Sequence, residues 1–230
     1  MASSGTFAFN EAASNLALNA FARIGIRRTE ITAQHMADAL LEANLLQVEF
    51  TCRQPNLFLD ELYSVTLVEG QASYTIPSRM VNIQAPYITT TSGGVSTDRI
   101  IFGYSTWEYA AIPDKTSQGT PSQFWYDRVV PPVIYLWPVP DGNADYVLNI
   151  RILHQFEDAV FTGGTTVAAP YRWLDAWTSG LAARLAQIYK PDMAERMDAK
   201  AERAWGIAAT QDSEDVPMYI IPQSICQYFR

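Results

Sequence analysis

Cysteine is almost absent from this chain: Cys52 and Cys226 are the only two in 230 residues. A pair so far apart builds no disulfide framework and fits a reducing compartment. Histidine is as scarce, with His35 and His154 alone. Neither stands at metal-ligand spacing from the cysteines, so zinc-site patterns are excluded. Cations are also few: 16 Lys and Arg face 24 Asp and Glu, a net charge of −8. A DNA-gripping surface needs a basic patch to release counterions, and the only adjacent pair is Arg27-Arg28. No run of eighteen apolar residues exists, so no membrane-spanning helix is expected. The opening Met1-Ala2-Ser3-Ser4-Gly5-Thr6 lacks a basic and an apolar region, so no signal peptide is expected there.

What the chain has is concentrated between residues 105 and 142, where seven aromatics and six prolines fall in one stretch. Ser105-Thr106-Trp107-Glu108 is a capping box, in which the Ser hydroxyl accepts an amide three residues on and the Glu reaches back. A short helix follows and stops at Pro113, which has no N–H to continue it. A turn at residues 119–121 leads to strand-like runs at 122–129 and 133–139. Asp141-Gly142 is expected to close the second run into a hairpin with residues 146–153. No nucleophile, base or ligand set stands in this block.

The same block carries a resemblance. Ala110-Ala111-Ile112-Pro113-Asp114-Lys115-Thr116, then Gly119-Thr120-Pro121, Trp125-Tyr126-Asp127 and Ile134-Tyr135-Leu136-Trp137-Pro138-Val139-Pro140 resemble the head-to-tail adaptor proteins of short-tailed phages, also called tail accessory factors. The flanking order agrees over roughly residues 9–205: two N-terminal helices, a Gly-centred hairpin ending in Ser73-Tyr74-Thr75-Ile76-Pro77, and a later helix pair. The resemblance implies a structural virion protein at the head-to-tail junction, assembled in the host cytoplasm. It implies a ring of identical subunits, about twelve to match the portal's closed symmetry. Its partners would be the portal protein and a tail nozzle or hub protein, with genomic DNA passing through unbound. No cofactor or metal is implied.

The remaining residues give an α+β reading. Residues 11–24 form a helix capped by Asn10 and stopped at Gly25, with Ala13, Leu16, Ala17, Ala20 and Ile24 on its inner face. Arg23, Arg27 and Arg28 gather at its end, where cations complement the helix dipole or could meet phosphate along a channel. Residues 32–54 form a second helix with Met36, Leu40, Ala43, Leu46, Gln47 and Phe50 buried. Leu41, Leu45 and Val48 make its apolar face wider than one partner helix requires. That width implies burial inside the domain or contact with a neighbouring subunit. His35 reads as a capping or solvent-facing residue. From Tyr63 the period changes to two: Val65 and Leu67 lead to a turn at Glu69-Gly70-Gln71, Tyr74 and Ile76 return from it, and Val81, Ile83, Ala85 and Tyr87 continue the alternation, with a further strand at 99–102. With the later runs this makes about seven strands in a meander or small sandwich. The loop at 162–166 lacks the Gly-Lys-Ser/Thr ending of a phosphate cradle. Pro170 opens a helix carrying Trp173, Trp177, Leu181, Leu185 and Ile188 on one stripe. A last helix at 192–209 follows, with Met193, Met197, Ala201 and Trp205 inward and an Asp192–Arg196 pair outward.

Residues 1–56 and 170–210 thus read as a ring-forming helical domain, 57–169 as an inserted β module, and 211–230 as an extended arm. Met218, Tyr219, Ile220, Ile221, Ile225, Tyr228 and Phe229 make the arm apolar, and the resemblance places it on the portal. An enzyme is the competing class, a tail-borne peptidoglycan hydrolase being the most natural. It needs two carboxylates flanking a bond, one with a raised pKa, and Glu157-Asp158 is the pair that can be nominated. Adjacent residues point apart, so the pair is poor. Another neck component, a stopper or hub, would show the same lack of chemistry. His154, at the end of the last strand, reads as facing solvent or a backbone carbonyl.

Overall fold

A computed structural model describes residues 9–53 and 57–212. Helix α1 (Ala13–Arg23) buries Ala13, Leu16, Ala17, Ala20 and Phe21. It starts later than residue 11, and Asn10 does not cap it. No side chain does; the Ala13 amide instead donates to the Thr165 carbonyl at 2.9 Å. The 162–166 loop is therefore a backbone partner for the helix start. The far end behaves as read: Gly25 takes φ +81°, and the Ile26 amide reaches back to Phe21 O at 3.0 Å, satisfying a terminal carbonyl.

Helix α2 (Ala33–Arg53) begins with a side-chain exchange in which His35 takes the place of the usual Glu. The Thr32 amide donates to His35 Nδ1 at 3.1 Å and the His35 amide to Thr32 Oγ1 at 3.4 Å. Ala39, Ala43, Leu46, Gln47 and Phe50 are buried, while Met36 and Leu40 are only partly covered. After a 3-10 turn at Tyr171–Trp173 come α4 (Leu174–Tyr189) and α5 (Pro191–Thr210), once α3 (Thr106–Ala110) has passed within the strands. Trp173, Trp177, Leu181 and Leu185 fill the centre of the helical core as expected. Ile188 does not. It is half exposed, and Tyr189 takes the inward place beside Phe21 and His35. The Asp192–Arg196 pair does not form, because an exposed i,i+4 pair of ~0.3–0.5 kcal/mol barely holds two long side chains.

Ions inside the helical layer are paired. Arg184 on α4 donates to Glu42 at 3.0 Å and Glu49 at 2.7 Å on α2. Burial alone would lower its pKa, but the two carboxylates outweigh it and hold the guanidinium charged. Arg53 donates to Glu202 at 2.6 Å and lies 4.2 Å over the Trp205 ring.

The Tyr189 hydroxyl donates to Asp38, and its pKa is pushed up to about 12, by burial first and then by that carboxylate. The folded state favours the neutral phenol. Its contribution is therefore full below the ordinary value of 10.0 and is lost as pH rises to about 12. Urea midpoints taken from pH 9 upward should fall over that interval in the parent protein. Tyr189→Phe should lack this component, and identical curves would refute it.

The strands are β1 (Asp60–Thr66), β2 (Ser73–Thr75), β3 (Met80–Ser92), β4 (Val95–Ile100), β5 (Phe102–Gly103), β6 (Gln118–Gly119), β7 (Gln123–Asp127), β8 (Val133–Trp137), β9 (Val139–Pro140) and β10 (Asp145–His154). They form two four-stranded sheets, β1-β10-β3-β4 and β2-β8-β7-β5, and a small β6-β9 ribbon. This is the sandwich option, and it corrects two pairings. β8 does not form a hairpin with β10, and β1 does not pair with β2 across Glu69-Gly70-Gln71. Each turn carries the chain from one sheet to the other, so that Tyr74, Ile134 and Leu136 face Leu148, Ile150 and Ile152 in one apolar cluster. On β3 the buried residues are Met80, Pro86 and Ile88, not Val81 and Ala85; Ala85 sits at φ +40°, beside a register shift against β10.

The outer face of the larger sheet carries a directed polar ladder across all four strands. Ser64 donates to Asn149 at 2.6 Å, Asn149 to Thr89 at 2.9 Å, and Thr89 to Asp98 at 2.6 Å. The helices share a second apolar cluster, which Leu59, Phe156, Ala159 and Val167 join from the ends of the β segment.

Candidate interaction surface

The aromatic block resolves into structural tasks. Glu108 N donates to Ser105 Oγ at 3.3 Å and Ser105 N to Glu108 Oε2 at 2.7 Å, so the capping box exists as read. Those bonds hold the Glu108 carboxyl below its ordinary pKa. Tyr109 stacks on Trp125 at 4.8 Å, and Trp125 on Tyr135 at 5.0 Å, which fastens α3 to β7 and β8. Lys115 donates to Ile112 O at 3.0 Å at the helix end and lies 5.5 Å from the Tyr109 ring. Asp114 accepts from the Thr116 amide at 2.9 Å, and its carbonyl accepts from Trp137 Nε1 at 3.0 Å. The block thus specifies a rigid corner. Of its aromatics only Trp107 stands fully exposed.

The sequence-derived cations separate. Arg23 donates to Asp175 at 2.8 Å and to Ser179 and Asn19, so its charge is taken up by α4. Arg27 and Arg28 are exposed, and Arg28 lines an open cleft of about 520 Å³ with Glu11, Arg23 and Asp175. Met218, Tyr219, Ile220, Ile221, Ile225, Tyr228 and Phe229 lie outside the described residues.

Glu157 and Asp158 do line a shallow cleft, with Glu61, Arg79 and His154. Both are exposed, and Glu61 is paired to Arg79 at 2.7 Å. A general acid is kept protonated by an apolar pocket, and this cleft offers none. His154 Nδ1 contacts the Gln155 carbonyl at 2.8 Å, as a strand-end histidine does. Among the described residues no group of three His, Cys, Asp or Glu could hold a metal, and no helix is long and apolar enough to cross a membrane.

An apolar surface with no partner among the described residues lies on α2. Leu41, Leu45 and Val48 are 60%, 44% and 61% exposed. They line a groove of about 290 Å³ against Val81, Gln155, Phe156 and Asp158, with Cys52 at one end. The far wall is held by the Ala159 amide, which donates to Asn44 Oδ1 at 2.8 Å. Gln47 lines the same groove at 3% exposure, and neither its Nε2 nor its Oε1 has a partner among the described residues. Gln47 stands on the stripe that the sequence predicts to be buried, where its amide meets no bonding group among the described residues. A glutamine in register with Ala43 and Phe50 was the available signal.

Residues 11–220 match the model of the SU10 adaptor protein family. The chain belongs to the SU10 adaptor protein family. No curated protein matches it. As an SU10 adaptor protein it is a structural component of a phage particle, which suggests a non-enzymatic role. Among the described residues of this adaptor, the surfaces without a partner include apolar faces and unpaired charges, which support contact with other proteins.

Proposed function

We propose that this adaptor forms a closed ring of about twelve identical subunits between the portal and the tail of a short-tailed phage, part of the channel through which DNA is ejected. The observation that carries the reading is the family match over residues 11–220. Residues 1–56 with 170–210 act as the ring-forming helical domain, 57–169 as the inserted β module, and 211–230 as an arm. Met218, Tyr219, Ile220, Ile221, Ile225, Tyr228 and Phe229 of that arm bind the portal, and a tail nozzle or hub protein meets the opposite end. Arg27 and Arg28 are the exposed cations available to passing phosphates; Arg23 remains with Asp175. A net charge of −8 repeated around a ring repels the duplex and keeps it mobile. Assembly takes place in the host cytoplasm before the particle is complete.

Removing residues 216–230 should leave a folded protein that no longer sediments with the portal ring of the same virus. Unfolding of the shortened chain, or undiminished portal binding, would exclude the arm.

A further inference from the structure

We infer that the α2 groove of one copy receives the outer face of α5 from the next copy, making the contact that closes the ring. This rests on the ring reading above. On α2, Leu41, Leu45, Val48 and Cys52 recur at i, i+4, i+7 and i+11, turned away from the α4 side. On α5, Arg196, Lys200, Arg203 and Ile207 recur at the same spacing and are all exposed. Each stripe is therefore about 16 Å long at 1.5 Å per residue.

The two stripes are opposite in kind. No lysine or arginine lines the α2 groove, and the Asp158 carboxylate stands among its lining residues beside the apolar ones. Arg196, Lys200 and Arg203 have no ion-pair or hydrogen-bond partner among the described residues, although Asp192 stands one turn before them. The acidic rim selects a partner that brings cationic N–H groups. The apolar floor selects an aliphatic side chain among them, and Ile207, 59% exposed, supplies it. Neither stripe complements itself: two α2 faces would bring the Asp158 carboxylates together, and two α5 stripes would oppose like charges. A chain bearing two different, mutually complementary faces associates head to tail, which gives a ring when the rotation closes.

Sedimentation velocity of the full-length protein tests this, alone and with the portal ring of the same virus. Val48→Trp blocks the groove with a bulky uncharged ring, and Lys200→Glu with Arg203→Glu spoils the stripe. All three sites are exposed, so circular dichroism and melting should match the parent. Each variant alone should remain single copies, with half-assembly shifted on the order of 30-fold or more in concentration. Mixed in equal amounts, they should form pairs and stop, since one intact groove meets one intact stripe. A parent that assembles while either variant still does, or a mixture that stays single, overturns this interface and leaves the ring reading standing. Charge reversal that only weakens retention of duplex DNA also overturns it. A parent that never assembles, with portal or without, removes the ring reading and this contact together.

Discussion

Replacing Trp177 by alanine is expected to lower the unfolding free energy by about 3–5 kcal/mol, the usual cost of deleting a large aromatic from a core. Trp177 is fully buried in the middle of α4, which packs against α1, α2 and α5. The void could not collapse easily, because Trp173, Leu181 and Phe21 around the same cluster are held by several helices at once. The indole carries a further cost: its Nε1–H is buried with no acceptor among the described residues. Trp177→Phe deletes less volume and removes that unmet donor, so its loss should be only about 1–2 kcal/mol. Urea unfolding of the two variants measures the difference. Equal losses, or an alanine cost below about 1 kcal/mol, would mean that the helical core is not organised around this residue.

Asp212→Ala should cost about 2–3 kcal/mol, somewhat below the range for breaking a buried pair because its partner can rehydrate. Asp212 has a side chain 1% exposed, whereas that of Arg172 is 30% exposed. One carboxylate oxygen accepts from Arg172 at 2.9 Å and the other from the Leu57 amide at 3.0 Å. This single side chain ties the end of α5 to the turn that follows α2 and to the turn that precedes α4. Arg172 Nε is already without a partner, so losing Asp212 strips the guanidinium further. Asp212→Asn keeps an acceptor for Leu57 and should lose roughly half as much. Denaturant unfolding of both variants decides it; an alanine variant as stable as the parent would mean that the tie contributes nothing.

Much of this fold could be read from local chemistry. The Ser105–Glu108 box, the Gly25 stop and the Trp173–Trp177–Leu181–Leu185 stripe are each determined by residues within a few positions of one another, and all appear as read. The failures were of partnership. Period-two patterns identify β8 and β10 as strands, and Asp141-Gly142 as a turn, without stating whether the turn returns within a sheet or crosses to another. The decision lies in distant residues, Ile134 and Leu136 needing Leu148, Ile150 and Ile152 opposite them. Asn10 failed as a cap because the Thr165 carbonyl, far along the chain, took the amide first. Ile188 lost its inward place to Tyr189, whose hydroxyl had Asp38 to meet.

The candidate surface divides the same way. The excess width of the α2 apolar face was legible from Leu41, Leu45 and Val48, and those residues are exposed. The groove was not legible, because its far wall comes from Val81 and residues 155–158. The unmet Gln47 amide and the unpaired Arg196–Lys200–Arg203 row become informative only once every available partner has been located.

The central claim is that this adaptor joins a portal to a tail as a ring. Mixing it with the portal ring of the same virus, sedimenting the complex and averaging particles in negative stain tests that claim directly. The account predicts a symmetric collar at the narrow end of the portal. Portal rings that remain bare at every salt concentration would contradict it.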